Sequence, residues 1–332
     1  MILLPIIIKM KQMNPVIISH AADLDGIASA ALILRRYGAG AGNAIFVDYD
    51  KASMLRGEKR FRKLFKKGST LFITDLGSES TPDILSRIVS HAKRKNGRVL
   101  WFDHHTWSRV HVKGIAGMCD VAVVGENERF CASEITAREL GMNDAFVKRL
   151  LQTVHVSDFA LRPRTPYMKS VIKAYALGLS YSRMKGSAEF LKSVSRAAAS
   201  IRDGKVLPGF LRSASARFEK LNDSRLRKMM GTVVNGGAIS IAFTPVVSTN
   251  DACAMIMRKT GSDIGCYVNT DVGKAHLRSK KNDCSVLARR FGGGGHFNAS
   301  GFDFDMKKYD VSTARGRIKF ADKIIKAASE LY

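Results

Sequence analysis

Val16-Ile17-Ile18-Ser19-His20-Ala21-Ala22-Asp23-Leu24-Asp25-Gly26-Ile27-Ala28-Ser29-Ala30-Ala31-Leu32-Ile33-Leu34 is the stretch on which the fold turns. Val16 to Ser19 reads as a buried strand, short, apolar and β-branched. Gly26 to Tyr37 reads as an Ala/Leu/Ile helix that stops near Gly38. Between them lies a polar loop with one imidazole and two carboxylates. The unit is strand, loop, helix, with chemistry held in the loop.

The same unit recurs outward from it. Ala44-Ile45-Phe46-Val47 is a second strand, followed by a basic helical segment from Lys51 to Lys67. Thr70 to Thr74 is a third strand, and Thr81-Pro82 opens a helix running towards Lys95, with proline at an early helical position. Arg98 to Phe102 is a fourth strand and Val121 to Val124 a fifth. Strands alternating with helices of this length predict an α/β fold with a parallel sheet covered on both faces. Helical patterns then dominate, at Leu150 to Asp158, Tyr167 to Leu179, Ser187 to Asp203 and Leu211 to Met230. Strand signals return at Ala238 to Phe243 and Ile264 to Val268, with a helix at Asn250 to Lys259 between them and a glycine-rich turn at 292–295. Three parts are expected: a catalytic domain over 14–185, a helical connector over 186–228 and a smaller α/β domain over 229–332. The active site is expected in the cleft between the two domains.

Composition narrows the class. The 332 residues carry 54 Lys and Arg against 29 Asp and Glu, a net charge of +25, with 45% hydrophobic residues. That is a globular composition and not a disordered basic tail. The charge favours polyanionic partners. Five cysteines, scattered and never spaced C-x-x-C, argue against a disulfide framework or a zinc knuckle and for a reducing cytoplasm. The apolar stretch Ile2 to Ile8 is far shorter than the ~20 residues of a membrane span. It also lacks the basic flank and cleavage site of a signal peptide. Met10 or Met13 is read as the start, and no membrane association is expected. A homodimer is compatible with the sequence.

The acidic and imidazole residues fall in a pattern. The first strand runs into His20, Asp23 and Asp25, the third into Asp75, and the fourth into Asp103-His104-His105; Asp158 follows the apolar run Val154-His155-Val156. The strand-end clusters lie just past carboxyl ends, where open α/β sheets place their ligand crevice. Singly, Asp25-Gly26 is also what a turn and helix start looks like, and Asp75 what an N-cap looks like. Jointly, so many carboxylates repel one another unless cations neutralise them. Histidine and aspartate without thiolate suit Mn²⁺ or Mg²⁺, with cobalt or zinc as alternatives.

These motifs resemble those of the DHH phosphoesterase superfamily: His20-x-x-Asp23-x-Asp25-Gly26, Thr74-Asp75, Asp103-His104-His105 and Asp158. Gly292 to Gly301, with Gly293, Gly294, Gly295, His296 and Asn298, resembles the GGGH signature of the DHH-associated domain. The resemblance covers Val16 to Phe304. The members it points to are oligoribonucleases (nanoRNases) and pAp phosphatases, cyclic-dinucleotide phosphodiesterases and RecJ-type exonucleases.

The resemblance implies two metals, one held by His20, Asp23 and Asp75, the other by Asp25, Asp75, His104 and Asp158. Asp75 would bridge them. It implies catalytic roles for Asp75, Asp103, His104 and His105, with Asp103 behind His104 and His105 facing the substrate phosphate. His20 stands three residues before Asp23, where the family's spacing is two or four. The second domain would bind substrate through the glycines, His296, Asn298, Arg278 and Ser279; a P-loop is ruled out because no Lys-Ser/Thr follows the glycines. Asp48 and Asp50 are expected to stand behind the site or beside it.

The expected activity is two-metal hydrolysis of short single-stranded oligonucleotides or dinucleotides to 5′-mononucleotides, with pAp phosphatase activity as an extension. A RecJ-like exonuclease on longer DNA or RNA is the alternative, and a non-catalytic DHH-type replication scaffold is an alternative of another class. Pyrophosphatase and exopolyphosphatase relatives carry a different second domain. Basic residues concentrate in two places, Arg56 to Lys67 and the connector from Lys185 to Lys228.

Overall fold

A computed structural model describes residues 14–77, 81–105, 107–125 and 129–332, the side chain of His296 excepted. The N-terminal apolar stretch and the two candidate starts, Met10 and Met13, lie outside the described residues. The chain divides into two compact units, Met1–Ser215 and Ala216–Tyr332.

The first unit is built on five parallel strands: β1 (Pro15–His20), β2 (Ala44–Val47), β3 (Thr70–Thr74), β4 (Arg98–Phe102) and β5 (Val121–Val123). Their spatial order is β2-β1-β3-β4-β5. The helices are α1 (Leu24–Tyr37), α2 (Lys51–Leu64), α3 (Pro82–Arg94), α4 (Arg109–Gly114), α5 (Ala132–Glu139), α6 (Ala145–Asp158), α7 (Pro166–Met184) and α8 (Ser187–Arg202). α9 (Gly209–Met229) begins in the first unit and ends in the second. β1 is buried along its whole length, which is why Val16 to Ile18 read as an unbroken apolar run. Val16 and Ile18 join Met54, Phe61, Leu85 and Ile88 of α2 and α3 on one face. Ile17 joins Ile27, Leu34, Leu150, Val171 and Val194 on the other. Successive residues thus serve opposite faces.

Register places the functional residues. Ser19 lies opposite Thr74, and Thr74 opposite Phe102. His20, Asp75 and Asp103 therefore leave the sheet at one level of one edge. The chain turns from β1 outward to β2 but from β3 the other way to β4, so β1 and β3 flank the switch point. A buried hydroxyl chain closes this point: Thr74 Oγ1 donates to Ser19 Oγ (2.8 Å), which donates to the Gly26 carbonyl (2.7 Å).

Sequence reasoning assigned α8 to a connector. The structure places it in the first unit's core instead, with Phe190, Val194, Ala197, Ala198 and Ile201 buried against α1. The spacing of those residues is an amphipathic stripe, which its Ala/Ser/Lys/Arg composition hid.

The second unit holds a six-stranded sheet of β6 (Val234–Asn235), β7 (Ile239–Thr244), β8 (Ile264–Asn269), β9 (Lys274–Ser279), β10 (Gly294–His296) and β11 (Ala299–Asp303). The order is β10-β11-β9-β8-β7-β6. β7 and β8 are parallel, joined through α10 (Thr249–Thr260); the other pairs are antiparallel. α11 (Cys284–Arg290) and α12 (Ala314–Ser329) complete it, and Leu287, Phe320 and Ile324 pack on Ile239, Phe243, Val268 and Leu277. The glycine run, read as a turn, is one only at its start, where Gly292 follows α11; Gly294 and Gly295 supply an edge strand, and a second turn falls at Phe297 and Asn298. Glycine carries no strand signal, yet it is required here. A Cβ on Gly293 would lie 2.2 Å from the Gly301 carbonyl oxygen, and Gly295 has φ +134°.

His276 lies flat against Tyr267, centroids 5.5 Å apart. Burial, with Lys274 and Arg278 nearby, holds its pKa down at about 3, from 6.5. The unfolded chain therefore binds this proton more readily below pH 6.5, so stability is lost as pH falls through that range. His276→Phe is expected to reduce the loss between pH 7 and 5 by about 1–2 kcal/mol. Urea unfolding of both proteins at the two pH values measures it, and equal losses would refute it.

Candidate metal centre

Each functional side chain is fixed by an element boundary. His20 ends β1; Asp23 caps α1, accepting from Gly26 N at 3.1 Å; Asp25 sits in that helix's first turn. Asp75 follows β3 with φ +54°, a left-handed conformation that aspartate tolerates better than most residues. Asp103, His104 and His105 follow β4, and Asp158 closes α6. Gly26 permits the packing of these segments, because a Cβ there would lie 2.4 Å from the His20 carbonyl oxygen and 2.9 Å from Asp75 Oδ2.

Asp75 is central. Its Oδ2 lies 3.5 Å from His20 Nδ1, while its Oδ1 lies 3.6 Å from His104 Nε2. His20 Nδ1 is also 3.0 Å from Asp23 Oδ2, and His104 Nε2 is 3.7 Å from Asp158 Oδ2. Three groupings with metal-ligand spacing result: His20, Asp23 and Asp75; Asp25, His104 and Asp158; and Asp75, His104 and His105. Asp75 is 2% exposed, Asp25 1% and His20 8%.

Protons are drawn into this crowd. Burial, and then the charges of Asp75, Asp158 and Asp23, push the Asp25 carboxyl well up. Burial raises Asp158 to about 7; His104 pulls it down, and Asp75 and Asp23 push it up. Burial opposes the charged form of His104, but Asp75 and Asp158 outweigh this and hold its pKa at about 10. Even so, His20 Nδ1, Asp75 Oδ2 and Asp158 Oδ2 are buried without a well-directed hydrogen bond. Such atoms each cost about 1–3 kcal/mol. Cations between them would satisfy both the charge and the lone pairs. The donors fit a hard or borderline divalent ion of the Mn²⁺ or Mg²⁺ kind.

Asp103 departs from the role expected for it. Its Oδ1 lies 2.8 Å from Nδ1 of His105, and its Oδ2 accepts from His105 N (3.2 Å) and Trp107 Nε1 (2.7 Å). It therefore orients His105, not His104. The other ring nitrogen of His105 lies 3.2 Å from the hydroxyl of Tyr49, which is also 3.3 Å from the Asp75 carbonyl oxygen. Tyr49 packs on His20 as well, centroids 4.6 Å apart. Sequence reasoning missed this residue, although it lies between Asp48 and Asp50 just past β2. Asp50 caps α2, and Asp48 is paired in two-pronged fashion with Arg183 (2.9 and 3.1 Å). Asp25 also holds backbone, since its oxygens accept from Ala132 N (2.7 Å) and Ser133 N (2.8 Å), the first amides of α5.

In the second unit, Arg278 Nε donates to Asn250 Oδ1 (3.0 Å), and the register sets Arg278 opposite Ala299 of the glycine hairpin. The Ser279 hydroxyl is engaged in a turn, donating to the Asp263 carbonyl and accepting from Lys281 N and Asn282 N. Asn298 is exposed at the hairpin tip, its carbonyl accepting from Ser279 N. Gly294 faces open space. His296 belongs to β10, and its side chain lies outside the described residues.

No protein-family model matches the chain, and no curated protein matches it in sequence. Solved structures do. RecJ from Thermus thermophilus, in complex with Mn²⁺, superposes with TM-score 0.59 at 15% identity, covering 93% of this chain. The chain spans 52% of that protein's length. A pGpG-specific phosphodiesterase from Vibrio cholerae gives 0.53 at 13% identity, covering 94% and 99% of the two chains. An exopolyphosphatase-related protein from Bacteroides fragilis gives 0.50 at 14%, covering 94% and 91%. The likeness is one of fold alone. No helix among the described residues is long and apolar enough to cross a membrane.

Proposed function

We propose that the chain is a metal-dependent phosphodiesterase that hydrolyses short single-stranded oligonucleotides or dinucleotides to 5′-mononucleotides. One observation carries the reading: the two oxygens of one buried carboxylate, Asp75, face two separate imidazoles, each set among further carboxylates. His20, Asp23 and Asp75 would hold one divalent cation; Asp25, Asp75, His104 and Asp158 would hold a second, with Mn²⁺ preferred and Mg²⁺ or Co²⁺ accepted. When bound, such ions supply Lewis-acid polarisation and charge neutralisation for phosphoryl transfer. The chain's own part is orientation. Asp103 and Tyr49 engage both ring nitrogens of His105 and hold the ring beside Asp75, so a phosphate oxygen would meet this imidazole only by taking Tyr49's place at Nε2. The full set of donors weighs against a non-catalytic scaffold. The charge of +25 favours a second reading, in which longer strands are degraded in the manner of RecJ.

End-labelled RNA and DNA from 2 to ~25 nucleotides, incubated with Mn²⁺, test both. Faster loss of dinucleotides than of long strands is expected. Faster loss of long strands would select the second reading, and turnover of neither would end both.

Tyr49→Phe keeps the ring on His20 but removes the hydroxyl from both His105 Nε2 and the Asp75 carbonyl, a loss worth about 1–1.5 kcal/mol at the imidazole. A roughly tenfold fall in kcat is expected, with KM and melting temperature nearly unchanged. An unaltered kcat would remove Tyr49 from the site.

A further inference from the structure

Arg56, Lys59, Arg60 and Lys63 of α2 follow the i, i+3, i+4, i+7 spacing that sets side chains on one stripe. All four are exposed, and Lys66 and Lys67 extend the run past the helix. Among the described residues no carboxylate pairs with any of the four. The helix's one acid, Glu58, is buried and held between Arg62 and Arg87, at 2.7 Å from each. Arg60 donates to the Gly42 carbonyl, at 3.2 Å.

Such a stripe opposes its own helix, because like charges three and four residues apart repel. Packing keeps α2 in place: Met54 and Phe61 are buried, and Gly57 lets the helix lie against Val47, whose Cγ1 would be 2.5 Å from a Cβ there. The same packing argues against a lipid surface as the partner. A helix lying in a bilayer interface needs a free apolar face, and this one is already covered by the sheet. A polyanion relieves the repulsion. Position adds to this: α2 starts directly after Tyr49 and its cap Asp50, at the edge that holds the metal centre. The stripe begins about 8 Å along the axis from Lys51 and runs about 10 Å further.

We propose that this face of α2 binds the phosphate backbone of single-stranded nucleic acid, holding nucleotides beyond those at the metal centre. The choice of ligand rests on the phosphodiesterase reading, but the test does not require turnover. Binding of a fluorescent ~20-nucleotide strand is measured by anisotropy in EDTA across a salt series. The triple variant Arg56→Gln, Lys59→Gln, Lys63→Gln is expected to bind at least tenfold more weakly, with the slope of log K against log salt reduced by about 2. The charge-conserving variant Arg56→Lys, Lys59→Arg, Lys63→Arg should retain both affinity and slope. Dinucleotide hydrolysis with Mn²⁺ should be unchanged in the triple variant, and its melting temperature equal or higher. Unchanged slope and affinity would overturn the proposal, as would binding to phosphatidylserine vesicles by wild type without binding to the strand. Loss of binding in the charge-conserving variant would also overturn it. Absence of any hydrolysis by wild type, with the slope change intact, would instead overturn the enzymatic reading and leave the surface standing.

Discussion

Asp75→Asn is expected to lower hydrolysis of a dinucleotide about 10³-fold or more while changing the stability of the apo protein by less than about 1 kcal/mol. Both halves follow from the geometry. The two oxygens of the Asp75 carboxylate face both imidazole clusters, so its loss weakens both candidate cation sites together. The carboxylate is also a buried negative charge that Asp25 and Asp158 repel and the His104 imidazole attracts, so neutralising it with no cation present removes two opposing effects. Asparagine is the right replacement because the residue has φ +54°, which asparagine adopts readily and alanine does not. Melting curves with and without Mn²⁺ separate the effects. A ligand present at about 100 times its Kd should stabilise wild type by about 2.7 kcal/mol, and the variant by far less. A variant that keeps turnover and the Mn²⁺ shift would refute the bridging role.

Gly26→Ala is expected to cost about 3 kcal/mol and to abolish the Mn²⁺ shift. The added methyl would meet backbone, the His20 carbonyl oxygen at 2.4 Å, and Asp75 Oδ2 at 2.9 Å. Backbone cannot swing aside as a side chain can. Relief requires β1 and the start of α1 to part, which breaks the Ser19–Gly26 bond and separates His20 from Asp75. Gly209→Ala, at a position with open space around it, is the control and should stay within about 0.5 kcal/mol. Urea unfolding in EDTA reads the first effect, and a melting scan with Mn²⁺ the second. Equal stability of the two variants would show that the segments can adjust.

The first unit was legible because its signals are local. β1 to β5 are short apolar runs, and the clusters at His20 to Asp25, Asp75 and Asp103 to His105 stand directly after three of them, so spacing along the chain reports position at the sheet edge. What escaped depends on distant partners. Tyr49 looks like any loop tyrosine until β2 is set beside β1 and its hydroxyl meets His105. Asp103 and His104 are adjacent in sequence, but the turn after β4 directs the carboxylate to His105. α5 went unread because its N-terminal amides are satisfied by Asp25, more than a hundred residues away. β10 went unread because two of its three residues are glycines, with no side chains to alternate.

Asp25 also bears on how an inactive form of this protein should be engineered. Its oxygens receive the first two free amides of α5, so the carboxylate that faces His104 and Asp158 also anchors a helix. Removing it would silence the site and loosen the scaffold at once, and a crystal or a pull-down made with that variant would report a mixture of both. A bait meant to capture an intact strand is better built at Asp75 or His104, whose side chains hold no helix in place.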